Sequence, residues 1–210
     1  MNDSSFGTGE NDDDCIDPLI AVLTKCPYME TLILNEGIFG PDGTANVIQA
    51  IKSSGAKLKN LGLGGVGLRE DQAENGVSAL LELLQSPASE NLEELTLDTN
   101  ELEDEGTSII IKALESAKLP KLHTLSLQDN QIMEDGAQTL VDNKISTLKV
   151  LNLDGNDEIP PELATKLVRL YKGSKVILDD GIELEEGDEE EDADQEVDEL
   201  AGALAKQSIS

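Results

Sequence analysis

The chain has 210 residues, with 44 Asp and Glu against 15 Lys and Arg and a net charge of −29. That acidity repels a nucleic-acid backbone or an anionic membrane and favours a basic protein surface as partner. Aromatic residues make up 2% and Trp is absent, which argues against platforms for stacked bases or sugars, while 38% hydrophobic content still allows a core of Leu, Ile, Val and Ala.

Charge divides the chain. Residues 1–14 carry five acids and no base, and residues 179–210 carry 14 acids and one Lys, which leaves −11 of the −29 for residues 15–178. The expected organisation is a disordered acidic segment at 1–14, a folded domain at 15–178 and a disordered acidic tail at 179–210. No basic segment followed by an apolar stretch opens the sequence, and the early apolar run from Leu19 to Leu23 is far too short to span a bilayer, so a soluble, unsecreted protein without membrane insertion is expected. Cys15 and Cys26 form no metal-ligand pattern with the lone His123 and read as free thiols.

In chain order, the first predicted element is a helix with Ile16, Leu19, Ile20 and Leu23 on one face, Asp17 as its N-cap and Pro18 near its start. A repeat then takes over. Met29, Leu32 and Leu34 with Phe39, then Leu58, Leu61 and Leu63 with Leu68, are loose copies of a pattern that becomes regular further on. Leu92-x-x-Leu95-x-Leu97-x-x-Asn100-x-Leu102 recurs as Leu122-x-x-Leu125-x-Leu127-x-x-Asn130-x-Ile132, and again at Leu148, Leu151, Leu153 and Asn156. This is a leucine-rich repeat signature. The positions Leu32, Leu61, Leu95, Leu125 and Leu151 are 29, 34, 30 and 26 residues apart, and Gly43, Gly106 and Gly136 each stand nine residues after the third Leu, ahead of an apolar run at helical spacing. Each unit therefore reads as strand, turn, helix. Stacked, the units predict an α/β solenoid with a curved parallel sheet inside and helices outside. Pro160-Pro161 opens a last helix with Leu163, Leu167 and Leu170, and Lys175 to Leu178 reads as a short terminal strand.

If the strand leucines face the core, the intervening residues line the concave face. They include Glu94, Thr96 and Asp98, then Thr124, Ser126 and Gln128, then Val150, Asn152 and Asp154, with no cation or aromatic side chain among them. Glu94, Asp98, Gln128, Asp154 and the adjacent Asp129 are the candidate partner-binding residues, and a basic surface is their complement. Asn100, Asn130 and Asn156 read as structural, turned inward to satisfy backbone groups in the turn.

Other motifs dissolve into the repeat. Gly62-Leu63-Gly64-Gly65-Val66-Gly67 satisfies a dinucleotide-binding pattern, but its leucines belong to the repeat and its glycines to the strand and turn positions. Arg69 and Arg169, the only arginines, read as solvated, and His123, with no Ser or Cys nucleophile beside it in sequence, reads as a surface imidazole. No catalytic residue, metal site or cofactor is expected. In the tail, the run from Asp188 to Asp192 reads as solvated, and Val197, Leu200, Ala201 and Leu204 share one helical face.

The long repeat resembles the ribonuclease-inhibitor-like subclass. Together with the acidic tract and the ending Asp198-Glu199-Leu200-Ala201-Gly202-Ala203-Leu204-Ala205-Lys206, residues 15–210 resemble the carboxyl half of the Ran GTPase-activating protein family. The resemblance implies a crescent that docks on GTP-bound Ran in the cytoplasm, including the cytoplasmic face of the nuclear envelope. It implies activation of GTP hydrolysis through a glutamine of Ran itself, so the chain is a GTPase activator with no active site of its own. Most functional residues of that family lie in amino-terminal repeats with no counterpart here, so weak activation is expected and no catalytic residue is carried over. The alternative is a similarity to acidic leucine-rich nuclear phosphoproteins, non-catalytic modules that bind histones. Their repeats are shorter, and the steps of 29, 34 and 30 residues argue against them.

Overall fold

The structure, a computed structural model, describes residues 13–68, 74–117, 119–178 and 182–184. The predicted terminal segment before Asp13, Arg69 and the tail beyond Leu184 lie outside them. Helix α1 (Asp13–Leu23) is followed by five units of strand and helix. These are β1 (Thr31–Ile33) and α2 (Gly40–Ser53), β2 (Asn60–Gly62) and α3 (Glu74–Leu84), β3 (Glu94–Thr96) and α4 (Glu103–Ala117), β4 (Thr124–Ser126) and α5 (Glu134–Asp142), and β5 (Val150–Asn152) and α6 (Pro161–Leu170). Strands β6 (Lys175–Leu178) and β7 (Ile182–Leu184) end the sheet, whose order follows the chain from β1 to β7.

Strands β1 to β6 are parallel and in register, so that Leu32, Leu61, Leu95, Leu125, Leu151 and Val176 form one line across the sheet. Leu61, Leu95, Leu125, Leu151 and Val176 are buried. Leu32 is only half-buried, because no described neighbour flanks β1 on its outer side. Strands β1 to β5 are three residues each, and in β3, β4 and β5 the turn that carries Asn100, Asn130 or Asn156 follows closely. Between sheet and helices runs one continuous core in which Leu58, Leu92, Leu122 and Leu148 close one side and Leu68, Leu102 and Ile132 the other.

A ladder of asparagines joins the turns. Asn130 accepts hydrogen bonds at Oδ1 from Asn100 N (3.0 Å) and Leu102 N (3.4 Å), and its amide donates to Leu97 O and Gln128 O. Asn100 serves Val66 N and Leu68 N in the same way, and Asn156 serves Asn130 N and Ile132 N. All three are buried. Each amide thus satisfies backbone groups of the preceding repeat that the turn would leave unpaired in an apolar interior.

The glycines in the first helical turns have a packing reason. A Cβ on Gly43 would stand 2.6 Å from Ile16 Cδ1, and one on Gly136 would stand 2.6 Å from Asp104 Oδ1, so the small residue lets each helix approach the repeat before it.

Two local expectations are corrected. Helix α1 starts at Asp13, which places Asp17 and Pro18 inside it rather than at an N-cap. Proline costs the helix a single bond there, to the carbonyl four residues back, while Ile16 and Leu23 are buried and Leu19 and Ile20 pack on the core. The sheet also continues past residue 178. Strand β7 pairs antiparallel with β6, matching Val176 with Leu184 and Leu178 with Ile182.

Candidate interaction surface

Side chains that alternate with the core leucines form three rows across the sheet. The first row runs Thr31, Asn60, Glu94, Thr124, Val150, Lys175, and the second runs Ile33, Gly62, Thr96, Ser126, Asn152, Ile177. Two residues beyond the second row, at the carboxyl-terminal edge, come Asn35, Gly64, Asp98, Gln128 and Asp154. Of the candidate residues, this edge gathers Asp98, Gln128 and Asp154, with Asp129 in the turn beside them. Glu94 is separated from them: it belongs to the first row, four residues before Asp98 and about 13 Å away along an extended strand. The candidates therefore form an acidic edge and one outlying carboxylate, rather than a single stripe.

The edge is partly built into the backbone. Asp98 Oδ1 accepts a hydrogen bond from Gln128 N at 2.9 Å, as Asn35 Oδ1 does from Gly64 N at 2.9 Å. Asp129 has a left-handed backbone (φ 52°), its carboxylate accepts from Gln128 Nε2 at 3.1 Å, and its Oδ1 lies over Gly155. A Cβ on Gly155 would collide with that oxygen, and Gly155 itself is left-handed at φ 68°, so only glycine fits under Asp129. The exposed Asp129 carboxylate is thus held in place at the rim. Asp154 N donates to Asn152 Oδ1 at 3.1 Å, and Asn152 Nδ2 donates to Ser126 Oγ at 2.9 Å, which ties the middle row to the edge.

Glu94 accepts from Asn60 Nδ2 at 2.7 Å. Its surroundings carry mixed charge. Lys59 Nζ pairs with Glu30 at 2.8 Å, and that hydrogen bond raises the Lys59 pKa above its ordinary value, aided by Glu93. The half-buried His123 makes a 3.0 Å contact between Nδ1 and Thr124 Oγ1, so its imidazole is partly sheltered rather than simply solvated.

Sequence reasoning stopped the concave face at β5. The register of β6 adds Lys175 beside Val150 and Ile177 beside Asn152, so the first row does hold a cation. The alternation was present in Lys175 to Leu178, but Val176 stands where the repeat has Leu, and the strand lacks the rest of the motif. Glu36 is another rim carboxylate outside the candidate set, left-handed at φ 61° and folded over Gly65. Cys26 is a free thiol. Among the described residues no cluster of His, Cys, Asp and Glu could hold a metal ion, and no helix is long and apolar enough to cross a membrane.

Residues 118–141 match the family described as "Leucine Rich repeat". No curated protein matches the sequence. Among solved structures the fold is similar to the tropomodulin C-terminal domain of Caenorhabditis elegans, 12% identical, with 76% of this chain and 92% of that chain covered and a TM-score of 0.55. A protein of Burkholderia cenocepacia J2315, provisionally assigned as a lyase or mutase, aligns over 90% of this chain and 70% of its own at 16% identity, but a TM-score of 0.32 carries no argument. Repeat spacing, matched repeat and fold together make this chain a leucine-rich repeat solenoid of the α/β kind.

Proposed function

We propose that this solenoid is a protein-interaction module of the Ran GTPase-activating kind, which docks a basic face of GTP-bound Ran on its acidic edge. The observation that supports this reading most directly is the gathering of Asp98, Gln128, Asp129 and Asp154 at the carboxyl-terminal edge of the sheet, with the Asp98 and Asp129 carboxylates held by hydrogen bonds. Preordered carboxylates lose little freedom on binding, and their field attracts a basic partner. Glu94 contributes from the opposite edge. Helices of 14, 11 and 15 residues on the convex side support the ribonuclease-inhibitor-like class over the shorter acidic phosphoprotein repeats. In this reading the chain works in the cytoplasm and supplies no active site. Any acceleration of hydrolysis comes from positioning a group of Ran and is small. The net charge of −29 supports a second reading, capture of histones or another basic protein without any effect on hydrolysis.

Titration calorimetry with Ran loaded with a non-hydrolysable GTP analogue, beside a parallel titration with histones, separates the two. Ran-GTP binding that weakens with added salt is expected, and the pair Asp98→Lys and Asp129→Lys should lower affinity about tenfold or more, each decade being about 1.4 kcal/mol. Circular dichroism of the variant checks that loss of the bond to Gln128 N has not unfolded the edge. Histone binding without Ran binding would transfer the assignment to the second reading, and strong stimulation of GTP hydrolysis would contradict the weak-activator part of the first.

A further inference from the structure

Charge is segregated across the sheet. The carboxyl-terminal edge carries Glu36, Asp98, Asp129 and Asp154. The residues that lead into the strands at the opposite edge run Glu30, Lys59, Glu93, His123 and Lys149, and each N–H from Lys59 onward donates to the carbonyl of the residue before it in that row. Along the first repeats this amino-terminal edge is neutralised from within, since Lys59 pairs with Glu30 at 2.8 Å and Lys57 with Glu90 at 3.1 Å. Further along, Lys121, Lys144 and Lys149 meet no such carboxylate. Lys121 Nζ donates to Asn91 Oδ1 at 2.8 Å, and Lys144 Nζ donates to Leu170 O beside the Tyr171 ring. Lys149 is exposed and bonds no side chain among the described residues. Lys175 extends the stretch on β6, its N–H bonded to Lys149 O at 2.8 Å, and Glu93 and Glu94 bound it at β3.

We propose that this cationic stretch, from Lys121 to Lys175, holds an acidic segment, and that the segment is residues 185–210 of the same chain. Direction and register identify the occupant. Strand β6 enters the sheet at the amino-terminal edge with Lys175, and β7 runs antiparallel to it with Leu184 opposite Val176, so the chain leaves β7 at the cationic edge. The next position of that register, opposite Lys175, is Glu185. Residues 185–192 carry seven carboxylates and no base, which complements the stretch in sign. An extended chain covers about 3.3 Å per residue, so this segment reaches about 26 Å, against about 14 Å for the strand spacings from β7 to β4. The acidic carboxyl-terminal edge repels the same segment, so the field of the domain directs it to one side. Tethering also raises its local concentration far above that of a free acidic peptide, which would have to displace it. Exposed ion pairs add little to folding stability, so proximity rather than melting reads this contact. It uses the edge opposite to the acidic one and stands or falls separately from the proposed function.

Carbodiimide coupling of the full chain, which joins amines directly to carboxylates in contact, followed by peptide mass spectrometry, tests it. Lys121 and Lys149 decide, because Lys175 lies beside the tether in any case. At low salt both should couple to carboxylates of residues 185–194 several-fold more than Lys112 and Lys166, which are exposed on helices α4 and α6. The excess should vanish as added salt shortens the Debye length from about 10 Å at 0.1 M to about 3 Å at 1 M. Lys149→Glu, at an exposed position, should lower the coupling at Lys121 several-fold, with circular dichroism as the check on folding. Should that variant prove unfolded, the salt series on the unaltered chain decides alone. Equal coupling at all four lysines, an excess that salt leaves intact, or coupling at Lys121 that folded Lys149→Glu leaves unchanged overturns the assignment. The same links found only in products of twice 22.5 kDa would give the edge to the tail of another copy, and overturn it as well.

Discussion

Single residues in this protein act mainly by closing the gaps that a repeat leaves. Tyr171, at the end of α6, is a case with a measurable signature. Its ring is buried, its hydroxyl oxygen accepts from Ile145 N at 3.2 Å, and Lys144 Nζ stands 5.7 Å from the ring centroid. Burial raises its pKa above the ordinary 10.0, against the smaller opposing effect of the bond from Ile145. The folded phenol therefore keeps its proton to a higher pH than the unfolded one. Stability from this source is complete below the unfolded pKa and is lost as pH rises through the folded value. Thermal melts should accordingly show alkaline destabilisation above about pH 10 that Tyr171→Phe blunts and Tyr28→Phe leaves intact, since Tyr28 is exposed. At neutral pH the same Tyr171→Phe change should cost about 1 kcal/mol for the lost bond. Equal alkaline loss in both variants would mean that Tyr171 is not the titrating group.

At the scale of elements, helix α5 is finished by its neighbour rather than by its own sequence. Helix α5 follows Met133, whose side chain makes no cap bond. Its first N–H groups are met instead by Asp104 of α4, which accepts from Met133 N at 2.7 Å and from Asp135 N at 3.2 Å. The carboxylate also opposes the positive end of the helix. Replacing Asp104 by Ala should therefore destabilise the protein by about 0.5–2 kcal/mol, the range for a lost N-cap, with the earliest loss of hydrogen-exchange protection in α5. If protection falls first within α4, the residue supports its own helix and the inter-repeat cap is wrong. A capping residue 29 positions before the N–H it serves has no sequence signature, which is why the cap escaped reading from local motifs.

On the scale of the whole molecule, the solenoid has neighbour contacts only, so each end carries more weight than in a globular domain. Deleting residues 185–210 removes none of the described contacts and should leave the melting temperature unchanged. Deleting residues 179–210 also strips β7 from β6 and exposes the edge at Val176 and Leu178. The shorter chain should remain folded but melt lower, by about 2–4 °C for each kcal/mol lost in a chain of this size. Identical melts for both truncations would show that β7 adds nothing to the stability of the sheet.

Repeat identity, strand register and the inward asparagines were legible in the sequence, because the repeat forces equivalent positions into equivalent places: a leucine at the strand centre can be buried only against its counterpart in the next unit. The concave side-chain rows followed from two-residue alternation alone. What the sequence could not settle depended on contacts between units or on the ends of the stack. The acidic candidates divided into an edge group and the outlying Glu94 because position along a strand is a distance in space, which composition does not measure. Pro18 entered a helix because the buried face of Ile16 and Leu23 outweighs one missing bond. Val176 and Lys175 joined the sheet without the leucine motif, since pairing to β5 needs an apolar residue in register rather than a particular one. Gly155 beneath Asp129 and Asp104 above α5 are juxtapositions 26 and 29 or more residues apart, created only when the repeats stack. Sequence by itself determined the unit and its period; tertiary structure alone decided which residues of different units touch, because stacking geometry is a property of neighbouring turns and not of any one of them.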